Sequence, residues 1–247
     1  MIDIHAHILP GVDDGASKMK ESVQMLSMAR EQGVTDVFAT SHYSKQYPNI
    51  KPEIFRGLCK KVERQANRVK GGKKTSEKEK RKIRIWTGQE IFYSEEVPQL
   101  LDEGKLMTLA DSDYVLIEFS PTVSYSEISH AVGDLRMSGF DPIIAHAERY
   151  QCLRTDNRVA DLISQGAYIQ LNFRSIGGKW YDSTTRWCRK MLKNHMVHVL
   201  GTDMHNTRSR KPDTEAAVHW MRLNLKRSYV KRLMHENARR IIKNKEI

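Results

Sequence analysis

The chain opens Met1-Ile-Asp-Ile-His-Ala-His-Ile-Leu-Pro-Gly-Val-Asp-Asp-Gly15. Ile2, Ile4 and Ile8 alternate with Asp3 and with the imidazoles of His5 and His7. A period of two over an Ile-rich run specifies a strand. Residues two apart on a strand face the same way, so His5 and His7 aim together. Two neutral imidazoles converging at a strand end form half of a transition-metal site. Taken alone, a His-x-His pair reads as readily as two surface histidines. The later strands decide between the two readings, because nearly every one also ends in a metal-ligand type.

Working outward, Ala16 or Ser17 opens a helix with Met19, Val23, Leu26 and Ala29 on one face, and Gly33 stops it. Residues 36–41 form a second strand that ends at His42, and Pro52 begins a helix with Ile54, Leu58 and Val62 on its buried side. Ile83, Ile85 and Trp86 make a third strand, which ends at Gly88-Gln89-Glu90, and Val97, Leu100 and Leu101 mark a short helix. A fourth strand over 114–117 ends at Glu118 and leads to a helix with Ile128, Val132 and Leu135, closed by Gly139. A fifth over 142–145 ends at His146, with Glu148 and Arg149 just after it. Val159, Leu162 and Ile163 are helical up to Gly166, and a sixth strand over 168–171 ends at Asn172. Trp187, Met191 and Leu192 share a helix face. A seventh strand through Val197, Val199 and Leu200 runs into Gly201-Thr202-Asp203-Met204-His205, and the chain from Asp213 onward is a helical cap.

Seven alternating strand–helix units predict a parallel sheet. Strands that end regularly in polar, ligand-type residues predict a closed α/β barrel with its site on the C-terminal face, where an open sheet would gather a site at one switch point. No Gly-x-Gly-x-x-Gly follows a strand and no Walker loop is present, which argues against a nucleotide cofactor. The 247 residues fit one domain over 1–247, with residues 70–82 (Lys-rich, without apolar periodicity) as an exposed insertion. The net charge of +11 permits a phosphorylated or acidic partner, although solvated Lys/Arg segments account for much of it. Cys59, Cys152 and Cys188 are odd in number and far apart, against a disulfide framework or a thiolate metal site. No apolar run reaches membrane-span length and no signal pattern precedes the first strand, so the expected compartment is the cytoplasm.

The strand ends gather His5, His7, Asp14, His42, Glu90, Glu118, His146, Asp203 and His205 on one rim, five imidazoles and four carboxylates. One metal takes three or four protein ligands, so nine candidates point to two or three ions with a bridging carboxylate. Mixed imidazole and carboxylate ligands favour Mn, Fe or Zn over Ca, and clustered divalent ions serve phosphoester chemistry. Arg149 adds a fork suited to phosphate oxygens. Glu118 also reads as a loop cap and His146 as a hydrogen-bonded core histidine. His130, His195, His198, His219 and His235 fall on helices or their ends and read as structural. A competing motif is Cys152-Leu-Arg-Thr-Asp-Asn-Arg158, which has the Cys-x5-Arg spacing of cysteine-dependent phosphatases. It lacks the glycines that let backbone N–H groups wrap a phosphate.

At these residues the chain resembles a known family. The opening Ile2–Ala16 stretch is similar to the start of the metal-dependent tyrosine-protein phosphatases of the PHP (polymerase and histidinol phosphatase) superfamily, encoded in Gram-positive capsule and exopolysaccharide operons. Ala39-Thr-Ser-His42, Gly88-Gln-Glu-Ile91, Ala145-His-Ala-Glu-Arg-Tyr150 and Gly201-Thr-Asp-Met-His-Asn206 resemble that family's blocks, in order and over nearly the whole chain. The resemblance implies a distorted (β/α)7 TIM-like barrel, the PHP fold, holding two or three divalent ions, first of all Mn, with Fe, Zn or Mg as alternatives. It implies that His5, His7, Asp14, His42, Glu90, Glu118, His146, Asp203 and His205 are ligands, with Glu90 bridging. Arg149, Asp203 and His205 are then expected in catalysis, and Arg149 with Arg210 on the substrate phosphate. The implied substrate is phosphotyrosine in the tail of a membrane-associated bacterial tyrosine autokinase. The partner expected is thus a protein, with neither nucleic acid nor membrane insertion. The Lys-rich segment is longer than the family's usual one, which leaves substrate preference open.

Competing readings are a histidinol-phosphate phosphatase of the same superfamily and a basic scaffold that binds a phosphorylated tail without turnover. A metallo-amidohydrolase or a TatD-like nuclease also begins with His-x-His. The former often uses a carboxylated lysine at a middle strand end, and no strand here ends in lysine.

Overall fold

The computed structural model describes residues 1–47, 50–68 and 81–247. Apart from Arg81 and Lys82, the Lys-rich insertion expected near 70–82 lies outside the described residues.

The first half of the chain forms β1 (Ile2–Ala6), α1 (Met19–Glu31), β2 (Asp36–Ala39), β3 (His42–Tyr43), α2 (Pro52–Arg68), β4 (Arg84–Thr87), β5 (Glu90–Phe92), α3 (Val97–Asp102) and β6 (Tyr114–Glu118). The second half forms α4 (Tyr125–Met137), β7 (Asp141–Ile144), α5 (Arg158–Ser164), β8 (Tyr168–Asn172), α6 (Phe173–Gly177), α7 (Ser183–Lys193), β9 (Val199–Gly201), α8 (Glu215–Asn224), α9 (Arg227–Lys231) and α10 (Asn237–Ile242). Every pairing between these strands is parallel, in the orders β1-β2-β4 and β3-β5-β6-β7-β8-β9.

The second and third strands of the sequence reading are each broken in two. β2 and β3 follow one line interrupted at Thr40-Ser41, and β4 and β5 one line interrupted at Gly88-Gln89. The nine segments therefore occupy the seven strand positions expected. The break at Gly88 requires a glycine, since a Cβ there would lie 2.6 Å from Leu109 Cδ2. Leu109 fills the inside of the barrel beside β4, and among the described residues β4 pairs with β2 alone. The ring closes between β9 and β1. Asp203 N donates to His5 O at 2.8 Å, His7 N donates to Met204 O at 2.9 Å, and Ala6 bridges Met204 in parallel.

Two apolar layers hold this barrel. The larger lies between strands and helices. The smaller is the barrel interior, where alternate strand residues Ile2, Ile4, Phe38, Tyr114, Leu116 and Val199 meet Ala238 and Ile241 of α10. The sequence reading located some helix faces and misplaced others. Ile128, Val132 and Leu135 are buried on α4, which starts at a Ser124–Glu127 capping box. On α2 the buried stripe is Phe55, Cys59, Val62 and Ala66, while Ile54 is 56% exposed. The bulkier Phe55 turns the helix by one residue from the face assigned to it. On α1, Met25 takes the buried place expected of Val23.

The C-terminal segment caps the N-terminal end of the barrel. Tyr229 OH and Asn237 Nδ2 donate to Val197 O and His198 O, just ahead of β9, at 2.8 and 2.7 Å. Asn244 holds Asp113, just ahead of β6. The opposite end of the strands is left to polar side chains. No helix among the described residues is long and apolar enough to cross a membrane.

Candidate metal centre

All nine residues singled out as ligands converge at the C-terminal end of the barrel. β1 is irregular between Asp3 and Ala6, where its register with β2 shifts. A bulge of this kind re-aims side chains. Ile2 and Ile4 line the barrel interior, and His5 and His7 still turn toward its mouth, so the four do not alternate sides as a regular strand requires. His5 Nε2 and His7 Nε2 lie 3.2 Å apart. Glu90 Oε2 is 3.1 Å from the first and 3.0 Å from the second, and Asp203 Oδ1 is 3.6 and 3.5 Å away.

A second group contains His7, Asp14, His42 and His205. Asp14 Oδ1 stands 3.4 Å from His42 Nε2 and 3.2 Å from His205 Nε2, and the His205 ring stacks on His7 at 3.7 Å. A third contains His42, Glu90 and Glu118. His42 Nδ1 is 3.2 Å from Glu90 Oε2 and 3.4 Å from Glu118 Oε2. His146 Nε2 joins this side, 2.7 Å from Glu90 Oε1 and 3.4 Å from Glu118 Oε1. Each pair of groups shares one residue: His7, His42 or Glu90.

Close approach of the backbone makes this density possible. A Cβ on Gly15 would sit 2.3 Å from His7 O, and one on Gly201 2.5 Å from His5 Cβ. His146 and Asp203 adopt left-handed backbone, at φ 31° and 52°. Such strain in non-glycine residues persists only where the surroundings impose it, and it concentrates at functional sites.

The electrostatics point the same way. Burial would lower the imidazoles of His7 and His146. Asp13 and Glu90 outweigh it at His7, which stands well above its ordinary value, and Glu118 and Glu90 lift His146 to about 9. Burial would raise Glu90, but His5, His146 and His7 hold it well below the usual carboxylate range. Asp203, buried likewise, is held low by His5 and Arg149. The cluster thus stabilises ionised carboxylates, the form that binds a cation.

The donor set fits divalent ions. Atoms about 2.1 Å from one tetrahedral ion lie roughly 3.4 Å apart, the spacing found within the groups. Glu90 Oε2 and His205 Nε2 are buried without a hydrogen-bond partner among the described residues. Unsatisfied buried acceptors are costly unless a cation or proton meets them.

Two guanidinium groups close the open side. Arg149 Nη2 donates to Asp203 Oδ2, and its Nη1 is 3.9 Å from Glu118 Oε1. Arg210 donates to Asp14 Oδ2 at 3.1 Å and to Asp203 Oδ1 at 3.3 Å. Glu148, next to Arg149 in sequence, instead accepts from Asn172 N at 3.1 Å and lies buried.

Residues 1–243 match the family model described as capsular polysaccharide synthesis, CpsB/CapC. The chain belongs to this family. It is 34% identical over 248 residues to the tyrosine-protein phosphatase CpsB of Streptococcus pneumoniae, covering 98% of each chain. It is 29% identical over 250 residues to the tyrosine-protein phosphatase YwqE of Bacillus subtilis, covering 93% of that protein. A crystal structure from work on YwqE and CpsB, there called metal-dependent tyrosine phosphatases, superposes with a TM-score of 0.86 at 28% identity, covering 100% of this chain and 96% of that one.

Within this member of the CpsB/CapC family, several residues around the centre escaped the sequence reading. Asp13 Oδ2 is 2.8 Å from His7 Nδ1 and accepts from His42 N at 3.0 Å, while its Oδ1 accepts from Gly15 N at 2.9 Å. Gln170 Oε1 is 3.1 Å from His5 Nδ1 and accepts from His146 N at 2.7 Å. Asn172 Nδ2 donates to Asp203 Oδ2 at 3.1 Å. Asp3 accepts from Thr202 N and Oγ1 at 2.9 and 2.6 Å, and burial pushes its carboxyl up to about 6. The doubled Asp13-Asp14 was the available signal for the first. A ligand imidazole needs an acceptor on its far nitrogen, and two adjacent carboxylates face opposite ways. Gln170 is two residues before Asn172 on the same face of β8, so strand periodicity marked it as well.

The Cys-x5-Arg stretch forms no phosphate cradle. Burial raises the half-buried Cys152 thiol, against the lowered value a nucleophile needs. Arg158 Nη1 donates to Cys152 O at 2.7 Å, and its guanidinium lies over Tyr125.

Proposed function

We propose that this chain is a metal-dependent tyrosine-protein phosphatase acting in the cytoplasm on phosphotyrosine of a bacterial tyrosine autokinase that controls capsule or exopolysaccharide synthesis. The observation that carries it is the set of three donor groups sharing His7, His42 and Glu90, with two arginines at their open side. Family membership and the names of the relatives supply the substrate class.

On this reading, His5, His7, Glu90 and Asp203 would hold one ion, and Asp14, His42 and His205 a second, since His7 Nδ1 is taken by Asp13 and its one free nitrogen serves one ion. Glu90, Glu118 and His146 would hold a third, with Mn the first candidate. Bound divalent ions supply Lewis acidity and make water a nucleophile near neutral pH. The chain's own groups do the rest. Glu90 faces four imidazoles at once, so it suits the bridging role. Arg149 and Arg210 are prepositioned by the one carboxylate of Asp203 and turn N–H groups toward an incoming phosphate. Asp13 and Gln170 hold the rings of His7 and His5, which fixes where their Nε2 atoms point.

The test is metal content of the purified protein alongside hydrolysis of p-nitrophenyl phosphate and a phosphotyrosyl peptide, before and after chelation. Loss on chelation and recovery with Mn is expected. Full activity in a preparation proven metal-free would overturn the reading. Strong preference for histidinol phosphate over phosphotyrosine would replace the substrate.

A further inference from the structure

Only the outer members of the cluster meet solvent. The side chains of His42, Glu118 and Asp14 are 16%, 18% and 39% exposed, while those of His5 and His7 are fully buried. These three form the floor of a cleft of about 1060 Å³. Its walls carry four aromatic rings, Tyr43 and Tyr47 at and after the end of β3 and Phe92 and Tyr93 at the end of β5, beside polar residues that include Lys45 and Glu96.

The placement of two of these rings follows from local geometry. Glu90 and Phe92 are two apart on β5 and so face the same side, whereas Ile91 between them is buried in the outer core. Two residues of strand rise about 7 Å, so the Phe92 ring stands above the Glu90 carboxylate at the height of the cleft. It is 41% exposed, although a phenylalanine ending a strand gains nothing from water. Tyr47 lies over the His42 imidazole with ring centres 5.5 Å apart and planes at 13°. The cleft is therefore lined both by a tyrosine stacked on a candidate ligand and by an exposed phenyl ring.

We infer that Tyr47 and Phe92 form a subsite for the aromatic ring of an aryl phosphate whose phosphate lies at the His42–Asp14–Glu118 floor. This assignment rests on the phosphatase reading above. In an aryl phosphate one oxygen separates phosphorus from the ring, so a phosphate at the floor places the ring among the first side chains above it. Offset or edge-to-face contact with Tyr47 and Phe92 rewards a flat ring over an alkyl chain of equal size. Serine and glycerol phosphates leave both rings uncovered. The subsite therefore selects phosphotyrosine against aliphatic phosphomonoesters by apolar contact, with the phosphate chemistry common to both.

The experiment compares wild type, Phe92→Ala and Tyr47→Ala, each checked for metal content and melting temperature. The readouts are the kcat/KM ratio of phosphotyrosine to glycerol 2-phosphate, and the calorimetric affinities of the non-hydrolysable phenylphosphonate and methylphosphonate. Wild type should prefer the aryl member of each pair. Each variant should lower that preference about tenfold, chiefly through KM. Phe92→Leu should restore part of it. Equal loss on both substrate classes, or an aryl preference that survives both substitutions, would overturn the subsite. Tighter binding of phenylphosphonate by wild type, lost in the variants but without any phosphatase turnover, would keep the subsite and remove the phosphatase reading.

Discussion

At the N-terminal end of the barrel, Ile2, Ile4, Tyr114, Leu116 and Val199 close on Ala238 and Ile241 of α10. At the C-terminal end, a few residues further along the same strands, five imidazoles and four carboxylates crowd together. Buried imidazoles at the two ends have different surroundings. His198, beside the start of β9, accepts from Ile169 N at 3.1 Å, and burial alone pulls it down to about 4. His7 and His146 are buried and His42 half-buried, yet neighbouring carboxylates raise all three, while burial lowers His205 on the same rim. One end supplies stability, and the other concentrates charge that stability alone would not select.

The largest effect should come from breaking the charged end. Arg149→Ala should leave metal content and melting temperature near wild type and reduce turnover about a hundredfold or more, since one charged donor to a transition state is worth on the order of 3–4 kcal/mol. Arg149→Lys should recover only part of this, for lack of the planar fork. Turnover near wild type in Arg149→Ala, with metal bound, would leave phosphate binding to Arg210 and the ions.

The reciprocal change is at the apolar end. Ile241 is fully buried beneath the strands, so Ile241→Ala should cost about 2–5 kcal/mol in a denaturant titration. Activity per folded molecule should stay near wild type. A selective loss of activity, with little change in stability, would mean the two ends are not separable.

Asp13→Asn probes the support beneath the charged end. It keeps the shape but weakens the acceptor on His7 Nδ1, so Mn affinity in a competition titration should fall about 10–100-fold. Unchanged affinity would reduce Asp13 to a loop anchor through Gly15 N and His42 N.

The smallest effect concerns His198. Its folded value lies below the ordinary one of 6.5, so between about pH 6.5 and 4 the unfolded chain binds a proton that the folded chain refuses. Stability is then full above that window and falls as pH drops through it, by about 1 kcal/mol per pH unit. Melting curves across pH 7 to 4.5 should show a shallower decline in His198→Gln than in wild type. Parallel curves would assign the acid lability to other groups.

The sequence carried the plan of the site because of a topological fact. Strands that all run the same way deliver their C-terminal residues to one rim, so His42, Glu90, Glu118, His146 and Asp203 could be collected by reading strand ends. Helix faces were less legible. Ile54 and Phe55 compete for the same stripe of α2, and only packing chooses Phe55. Arg149 illustrates the same limit. Its neighbour Glu148 was the obvious ion-pair partner, but the guanidinium reaches Asp203, 54 residues away.

By itself, then, the sequence determined the alternation of strands and helices, the seven positions and the chemical character of the rim, since each depends on periodicity and residue type within a short window. Tertiary structure decided what depends on distance. It packed Leu109 against Gly88 at one of the two strand breaks, and it bent β1 so that His5 and His7 share the barrel mouth with Ile2 and Ile4 behind them. It also divided the tandem acids, turning Asp14 to the donor cluster and Asp13 to the back of His7. Adjacent carboxylates are indistinguishable along the chain. They become different only when a backbone turn, packed against Gly15, points one at the cluster and the other at the ring behind it.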